Sequence, residues 1–290
     1  MCGFTGFVSR SAAPDKNVLR AMGDTIRHRG PDGEGHFVDE HCAIAHRRLS
    51  IIDLANGQQP MLSPDGRYVI AYNGEIYNFK LLREELISAG HAFLTNCDTE
   101  VLLHGYMEWG AEVLKKLRGM FAFVIWDKEK QELFGARDPF GIKPFYYAVM
   151  GDLFFFGSEC KSFLPHPSFK KELNPAALKL YLTFQYSALN ESFFKDVYRL
   201  LPGHYLVHRE GHTEFASYNS FSFDPQPMPL EKRASQIREV VSESVEAHQI
   251  SDVEVGAFLS GGIDSSVITA LSRPDKTYSV GFENKDFDET

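Results

Sequence analysis

The chain opens on Met1-Cys2. Loss of Met1 would leave Cys2 holding a thiol nucleophile and a free α-amine in one residue. Such an amine titrates near ~7.7, so around neutral pH much of it is a base able to take the thiol proton. Nucleophile and base would then be present without a histidine partner. A cysteine at position 2 does not by itself establish that chemistry; residues further along must supply a place for a substrate. Arg48 can form a bidentate pair with a carboxylate. Asn73-Gly74 offers a side-chain NH2 beside a backbone N–H, the two donors an oxyanion hole requires, although the same dipeptide is a common hairpin turn. Glu75 and Asp98 can accept hydrogen bonds from an ammonium group, and Asp98 or Thr99 equally suits a helix N-cap. Together these groups fit an amino-acid amide.

A second chemical stretch is LSGGIDSS, Leu259 to Ser266. It lies between an apolar strand and a helix, where backbone N–H groups and the helix dipole can hold a phosphate. Gly261 and Gly262 let the backbone approach the anion, and Ser260, Ser265 and Ser266 can donate hydroxyl hydrogens. There is no lysine, so this is not the G-x-x-x-x-G-K-[ST] loop. The S-G-G-x-D-S string resembles the pyrophosphate-binding loop of enzymes that cleave ATP to AMP and pyrophosphate.

The elements that must position these residues follow from local patterns. CGFTGFV reads as a strand that fixes residue 2 in the protein body. Lys16 to Ile26 has helical spacing, and RHRGPDGEG after it breaks regular structure. A strand within Cys42 to Asp53 carries Arg48. YVIAYNGEIYN is a β-rich run expected to stop in a turn at Asn73-Gly74. Helices are expected over Leu81 to Ala89 and Val101 to Trp109. GMFAFVIWD, QELFGARD, PFYYAVM and LFFFGSE then suggest an antiparallel meander. Asn174 and Pro175 start a helix, and RLLPGHYLVHREG supplies a last strand pair. Three prolines between Ser220 and Glu231 mark a linker. Beyond it, a long helix, a strand, the glycine loop, a helix and a strand form the opening of a parallel α/β domain. Two strands cannot bury both faces of such a sheet, so this domain is expected to be cut short at Thr290.

With 290 residues, 43% hydrophobic and 24% charged, the chain has the composition of a globular protein with one large or two ordinary domains. Its net charge of −9 argues against a general nucleic-acid or anionic-membrane binder. No apolar run approaches the roughly 18 residues that span a bilayer. Cys2, Cys42, Cys97 and Cys160 lack zinc-type spacing and are too sparse for a disulfide scaffold, so reduced thiols and a cytoplasmic location are expected. No residue is assigned as a metal ligand.

Cys2-Gly3, RHRGPD, HRRLSI, YNGEIYN, CDTE, GMFAF and RDPFGIKPFYY, in that order, resemble the class II glutamine amidotransferases, which are N-terminal-nucleophile (Ntn) hydrolases. With S-G-G-I-D-S downstream, essentially the whole chain resembles the glutamine-hydrolysing asparagine synthetases. The resemblance implies an α+β fold: a four-layer αββα sandwich over residues 2–210, linker and last strands over 211–230, and the first part of an ATP-binding α/β domain with a parallel sheet over 231–290. It implies that Cys2 attacks the glutamine side-chain amide, with Asn73 and Gly74 as oxyanion hole. Arg48 would anchor the α-carboxylate, Leu49, Ser50, Ile51 and Ile52 would run along the substrate, and Glu75 and Asp98 would take its amine. Leu259 and Val280 would flank adenine, with Ser260, Gly261, Gly262, Asp264 and Ser265 around the pyrophosphate. The implied overall reaction makes asparagine from aspartate, glutamine and ATP with Mg2+. The second S-G-E-G-x-D-E loop of the family and its aspartate-holding residues do not occur here. Glutaminase potential alone is therefore expected of these 290 residues, and only after Met1 has gone. Amidation of another carboxylate, or a non-catalytic glutamine-binding remnant, are the alternatives. A homodimer is left open.

Overall fold

A computed structural model describes residues 1–187 and 189–282, which form two compact units meeting at Ser220 and Phe221. The first unit holds two six-stranded sheets. One runs in the order β10 (Val197–Arg199), β8 (Tyr146–Met150), β9 (Leu153–Gly157), β1 (Gly3–Ser9), β3 (Cys42–Arg48), β2 (Gly33–Val38). The other runs β12 (His212–Ser217), β11 (His204–Arg209), β7 (Glu132–Arg137), β6 (Gly119–Asp127), β5 (Tyr68–Ile76), β4 (Met61–Leu62). All their pairings are antiparallel. Helix α1 (Lys16–Asp24) covers the outer face of the first sheet. Helix α3 (Asp98–Trp109) packs on β5 of the second, with α2 (Phe79–Ser88) against α3 and the short α4 (Val113–Lys116) at its end. Helix α5 (Pro175–Phe184) is capped by Asn174, whose side chain accepts from the Ala176 and Ala177 amides. The order helix, sheet, sheet, helix is the four-layer αββα Ntn-hydrolase arrangement expected.

Four layers mean that the central strands bury both faces, so they read as near-continuous apolar runs rather than alternating ones. The period of two is still visible in where each side chain goes. Phe4 and Val8 of β1, Ile44 of β3 and Phe154 and Phe156 of β9 meet Val69, Val124 and Trp126 between the sheets. Their neighbours Phe7, Ala43, Ala45 and Phe155 turn outward onto Leu19 and Met22 of α1.

Several local expectations are corrected. Asn73-Gly74 is not a turn: β5 runs through it, paired with β6 from Tyr68↔Asp127 to Ile76↔Gly119. A ladder of that length overrides the local turn preference, and β6 comes so close that a Cβ on Gly74 would lie 2.3 Å from the Met120 carbonyl oxygen. RHRGPDGEG is not wholly irregular, since Gly33 begins β2. The four β-rich runs are two hairpins in different sheets, β6–β7 and β8–β9, rather than one meander. The segment Asp138–Lys143 carries the chain between them. Asp138, fully buried, accepts backbone N–H groups from Phe121, Phe140, Ile142 and Lys143 at 2.9–3.3 Å. Arg137 donates to the carbonyls of Lys143, Leu200 and Gly141 at 2.6–2.7 Å.

The second unit holds α6 (Leu230–Ala247), β13 (Ala257–Phe258), α7 (Ile263–Ser272) and β14 (Thr277–Tyr278). Its strands are shorter than the sequence suggests and pair in parallel, Ala257↔Thr277 and Phe258↔Tyr278, each with one partner among the described residues. Residues 283–290 of the expected synthetase part lie outside those described. No helix among the described residues is long and apolar enough to cross a membrane.

The tightest backbone approach in the core is at Gly6, where a Cβ would sit 2.2 Å from the Ala43 carbonyl oxygen and 2.5 Å from the Phe156 ring. Gly6→Ala should therefore force β1 and β3 apart. A loss of about 1–3 kcal/mol is expected, read as a lower urea midpoint.

Candidate active site

Strand β1 delivers Cys2 to one end of the sandwich. Pairing with β9 extends beyond the sheet, because Ser158 donates its N–H to the Phe4 carbonyl at 2.8 Å and accepts the Phe4 N–H on its hydroxyl at 3.1 Å. The carbonyl of Cys2 accepts from Arg29 Nε at 2.9 Å, and Arg29 is tied by Nη1 to Glu159 at 3.0 Å. The Cys2 thiol is bracketed by one peptide unit's neighbours: Sγ accepts the Leu49 N–H at 3.3 Å, and its S–H donates to the Leu49 carbonyl at 3.4 Å. Burial pushes the thiol above its ordinary pKa, with the Leu49 amide working in the other direction.

Sγ opens into a cavity of about 120 Å³. On β5, Val69 and Ala71 face the apolar space between the sheets, so by alternation Asn73 and Glu75 continue the same row to its edge. Both line the cavity, as does Gly74. Asn73 is 1% exposed and its Nδ2 has no hydrogen-bond partner among the described residues. A buried amide NH2 left unpaired costs about 1–3 kcal/mol, a loss that a ligand oxygen in the cavity would recover.

Glu75 is pushed up to about 7 by burial and then by the negative charge of Asp98, with Lys143 opposing. Asp98 does not cap α3. Cys97 occupies the N-cap without a side-chain bond, and Asp98 begins the helix. The Asp98 carboxylate turns instead to β5, accepting the Tyr72 hydroxyl at 2.8 Å and the Ile76 N–H at 3.1 Å. Burial raises its pKa against those two bonds, and raises the Tyr72 phenol much further.

Arg48 lines the cavity, but its guanidinium already braces the loop that follows β3, donating to the carbonyls of Leu54 at 3.0 Å, Ile52 at 3.2 Å and Asp53 at 2.6 Å. A carboxylate there would meet a guanidinium fixed in place and would have to share its hydrogens. Leu49, Ile51 and Ile52 line the cavity. Ser50 does not, and its N–H goes to Asp32 at 2.9 Å. Besides Met1, seven further residues line the cavity that the sequence did not assign to it. Gln59 accepts the Tyr72 N–H at 2.7 Å where β4 no longer covers β5, and donates to Thr99 at 3.3 Å. Gly57, Tyr72, Cys97, Thr99, Met120 and Lys143 are the others. The polar residues at the start of α3 are a usable signal; nothing periodic marks Gln59 or Lys143.

These features, a thiol at a strand start facing an unpartnered amide and two carboxylates, have a counterpart among known proteins. Residues 1–219 match the family described as glutamine amidotransferase domain. The chain belongs to that family. Residues 236–290 match a second family, asparagine synthase. Asparagine synthetase [glutamine-hydrolyzing] 1 of Bacillus subtilis is 43% identical, over 100% of this chain and 47% of its own length. Asparagine synthetase [glutamine-hydrolyzing] 3 of the same organism is 36% identical over 99% and 49%. The chain thus spans about half the length of the curated relatives it matches. Among solved structures, the glutamine phosphoribosylpyrophosphate amidotransferase of B. subtilis superposes with a TM-score of 0.56 at 20% identity, over 99% of this chain and 68% of that one. At that identity the likeness speaks to the fold alone.

In the second unit the Leu259-to-Ser266 loop leaves β13 and enters α7 at Gly262, with Gly261 at φ +81°. Ser265 donates to the Gly262 carbonyl at 3.1 Å, and its Oγ accepts the Ser260 N–H at 3.3 Å. Leu259 bonds through its N–H to Tyr278, beside β14, while Val280 is exposed. Asp264 sits in the first turn of α7. The glycines and hydroxyls suit a phosphate.

With Met1 in place, the raised Cys2 thiol should be alkylated slowly at neutral pH. Labelling by iodoacetamide, followed by peptide mass spectrometry, is expected to accelerate only as the pH passes the ordinary thiol range.

Proposed function

We propose that the first unit, residues 1–220, hydrolyses the side-chain amide of glutamine to glutamate and ammonia, with Cys2 as nucleophile. The observation that carries the reading is the buried, unpartnered Nδ2 of Asn73 in the cavity that also holds Cys2 Sγ. Once Met1 is removed, the Cys2 amine takes the thiol proton and Sγ attacks the amide carbon. The oxyanion that forms is stabilised by Asn73 Nδ2 and the Gly74 peptide. The amide nitrogen leaves as ammonia with the proton returned from the amine, and a thioester remains. Water, deprotonated by the same amine, releases glutamate and frees the thiol. Glu75 and Asp98 receive the substrate α-ammonium group. Arg48 supplies positive charge for its α-carboxylate from a guanidinium that the loop carbonyls hold still.

For the whole protein we infer asparagine synthesis from aspartate, glutamine and ATP with Mg2+, supported by the match of residues 236–290 and by the names of the relatives. In this chain Ser260, Gly261, Gly262 and Ser265 would hold the pyrophosphate, with Asp264 in the first helical turn beside them. Leu259 and Val280 are the adenine neighbours. The four free cysteines suit a reducing, cytoplasmic setting.

Protein shown by intact mass to begin at Cys2 should release glutamate from glutamine, and Cys2→Ala should release none. Asn73→Ala should lower kcat by roughly 10²–10³ with a smaller change in KM. Absence of glutamate release from the correctly processed wild-type chain would overturn the reading. A pH dependence follows from Glu75, which is protonated below about 7 and charged above it. Because the charged form receives the ammonium group, the glutamine KM should fall as pH rises through about 7. Glu75→Gln should raise KM and flatten that dependence.

A further inference from the structure

Lys143 lies on the same cavity wall as Glu75 and Cys2, on the Asp138–Lys143 segment that joins the two sheets. It is 3% exposed, and its ammonium group donates to the Met1 thioether at 2.7 Å. A thioether is a weak acceptor that carries no charge. No carboxylate forms a salt bridge with Lys143 among the described residues. An ammonium group buried on those terms is costly, and a chain built only for stability would replace it with an apolar side chain. The segment nevertheless holds it firmly: the Lys143 N–H goes to Asp138 at 2.9 Å and its carbonyl accepts from Arg137 at 2.7 Å. Such a buried, unpaired charge on a cavity wall marks a functional position.

The charges around it show which function. Glu75 is the strongest opposite charge felt by Lys143, followed by Cys2 and Asp138, with Arg29 repelling. Glu75 in turn faces Asp98 from α3 and Lys143 from the crossing segment, with the phenols of Tyr72 and Tyr77 close enough to feel its charge. Lys143 is thus the cation whose charge acts on Glu75, opposing the carboxylate of Asp98 there. Because the pair is not in contact, the Glu75 oxygens are left available to a ligand.

We propose that Lys143 is a positioning residue for substrate binding: its buried ammonium group keeps Glu75 ionised, so that Glu75 can receive the α-ammonium group of an amino-acid substrate. The proposal rests on the glutaminase reading above and adds a residue to it. Lys143 does not touch the reacting amide, so its removal acts on binding and on pH dependence rather than on the chemical step.

The test measures glutamine KM and kcat across the neutral and alkaline range for Cys2-starting wild type, Lys143→Met, Lys143→Arg, Glu75→Gln and the double variant Lys143→Met with Glu75→Gln. Lys143→Met should raise KM about tenfold near neutral pH and move the fall in KM to higher pH by about one unit, with kcat changed far less. Lys143→Arg should restore the wild-type profile. On the Glu75→Gln background, Lys143→Met should add nothing further. An unchanged KM profile in Lys143→Met, a loss confined to kcat, or additive effects in the double variant would each overturn the proposal. If Lys143→Met does not fold, the Lys143→Arg profile decides, since a shifted profile with the charge retained contradicts the mechanism. An inactive wild type would instead count against the glutaminase reading itself.

Discussion

The structure depends on the clamping of β1 between β3 and β9. A nucleophile at a chain terminus is useful only if that terminus does not fray, and free ends fray unless they are paired. Here all seven residues of β1 are buried, six register with β3 and five with β9. Phe4 adds an edge-on contact with Phe145 at 5.7 Å between the sheets. Pairing reaches Gly3, so Cys2 is one residue from a rigid strand rather than at the end of a tether. The Arg29 bond to its carbonyl and the Leu49 peptide around its sulfur complete the fixation. Burial of the strand and definition of the thiol are therefore one event.

The same sandwich explains the chemistry of the opposite wall. β5 presents an apolar row to the interior, and where that row reaches the edge its residues become Asn73 and Glu75. Deeper in the sandwich an unpaired amide or a carboxylate would be excluded, and in open solvent neither would be perturbed. At the edge, Asn73 keeps an unsatisfied donor and Glu75 a proton affinity near neutrality. Burial resists the charge on Glu75, and a carboxylate so perturbed on a cavity wall is a common signature of a site rather than of a core. The crossing between the sheets fits this account, since the loop held by Asp138 and Arg137 is what brings a buried cation to the same place.

Much of the architecture was legible in the chain because its cues are local. The strand at Cys2, the cap at Asn174 and the proline-rich stretch before α6 each declare themselves in a few residues. The errors share one cause, which is that sheet partners far away in sequence decide what a local signal becomes. Asn73-Gly74 carries a strong turn signal, yet nine residues of β6 hold it extended, and only that extension aims Asn73 at the thiol. Asp98 has the composition of a cap, but the Tyr72 hydroxyl and the Ile76 amide draw its carboxylate to β5. Ser50 sits among lining residues without lining the cavity, because it lies past the end of β3 in a loop where its N–H is drawn to Asp32. Gln59 and Lys143 could not be found by pattern, as each reaches the cavity from an irregular segment whose path is set by tertiary hydrogen bonds.

The two units differ in how completely the described residues account for them. The lining residues of the candidate site all fall between Met1 and Lys143, and the core around it closes with Leu206 of β11. Both six-stranded sheets are complete with β12, within the first unit. In the second unit the strands are two residues long, and large apolar side chains such as Phe258 and Ile263 stand more than four-fifths exposed. The cavity that brings together the thiol, the Asn73 amide and the two carboxylates is lined by residues of the first unit.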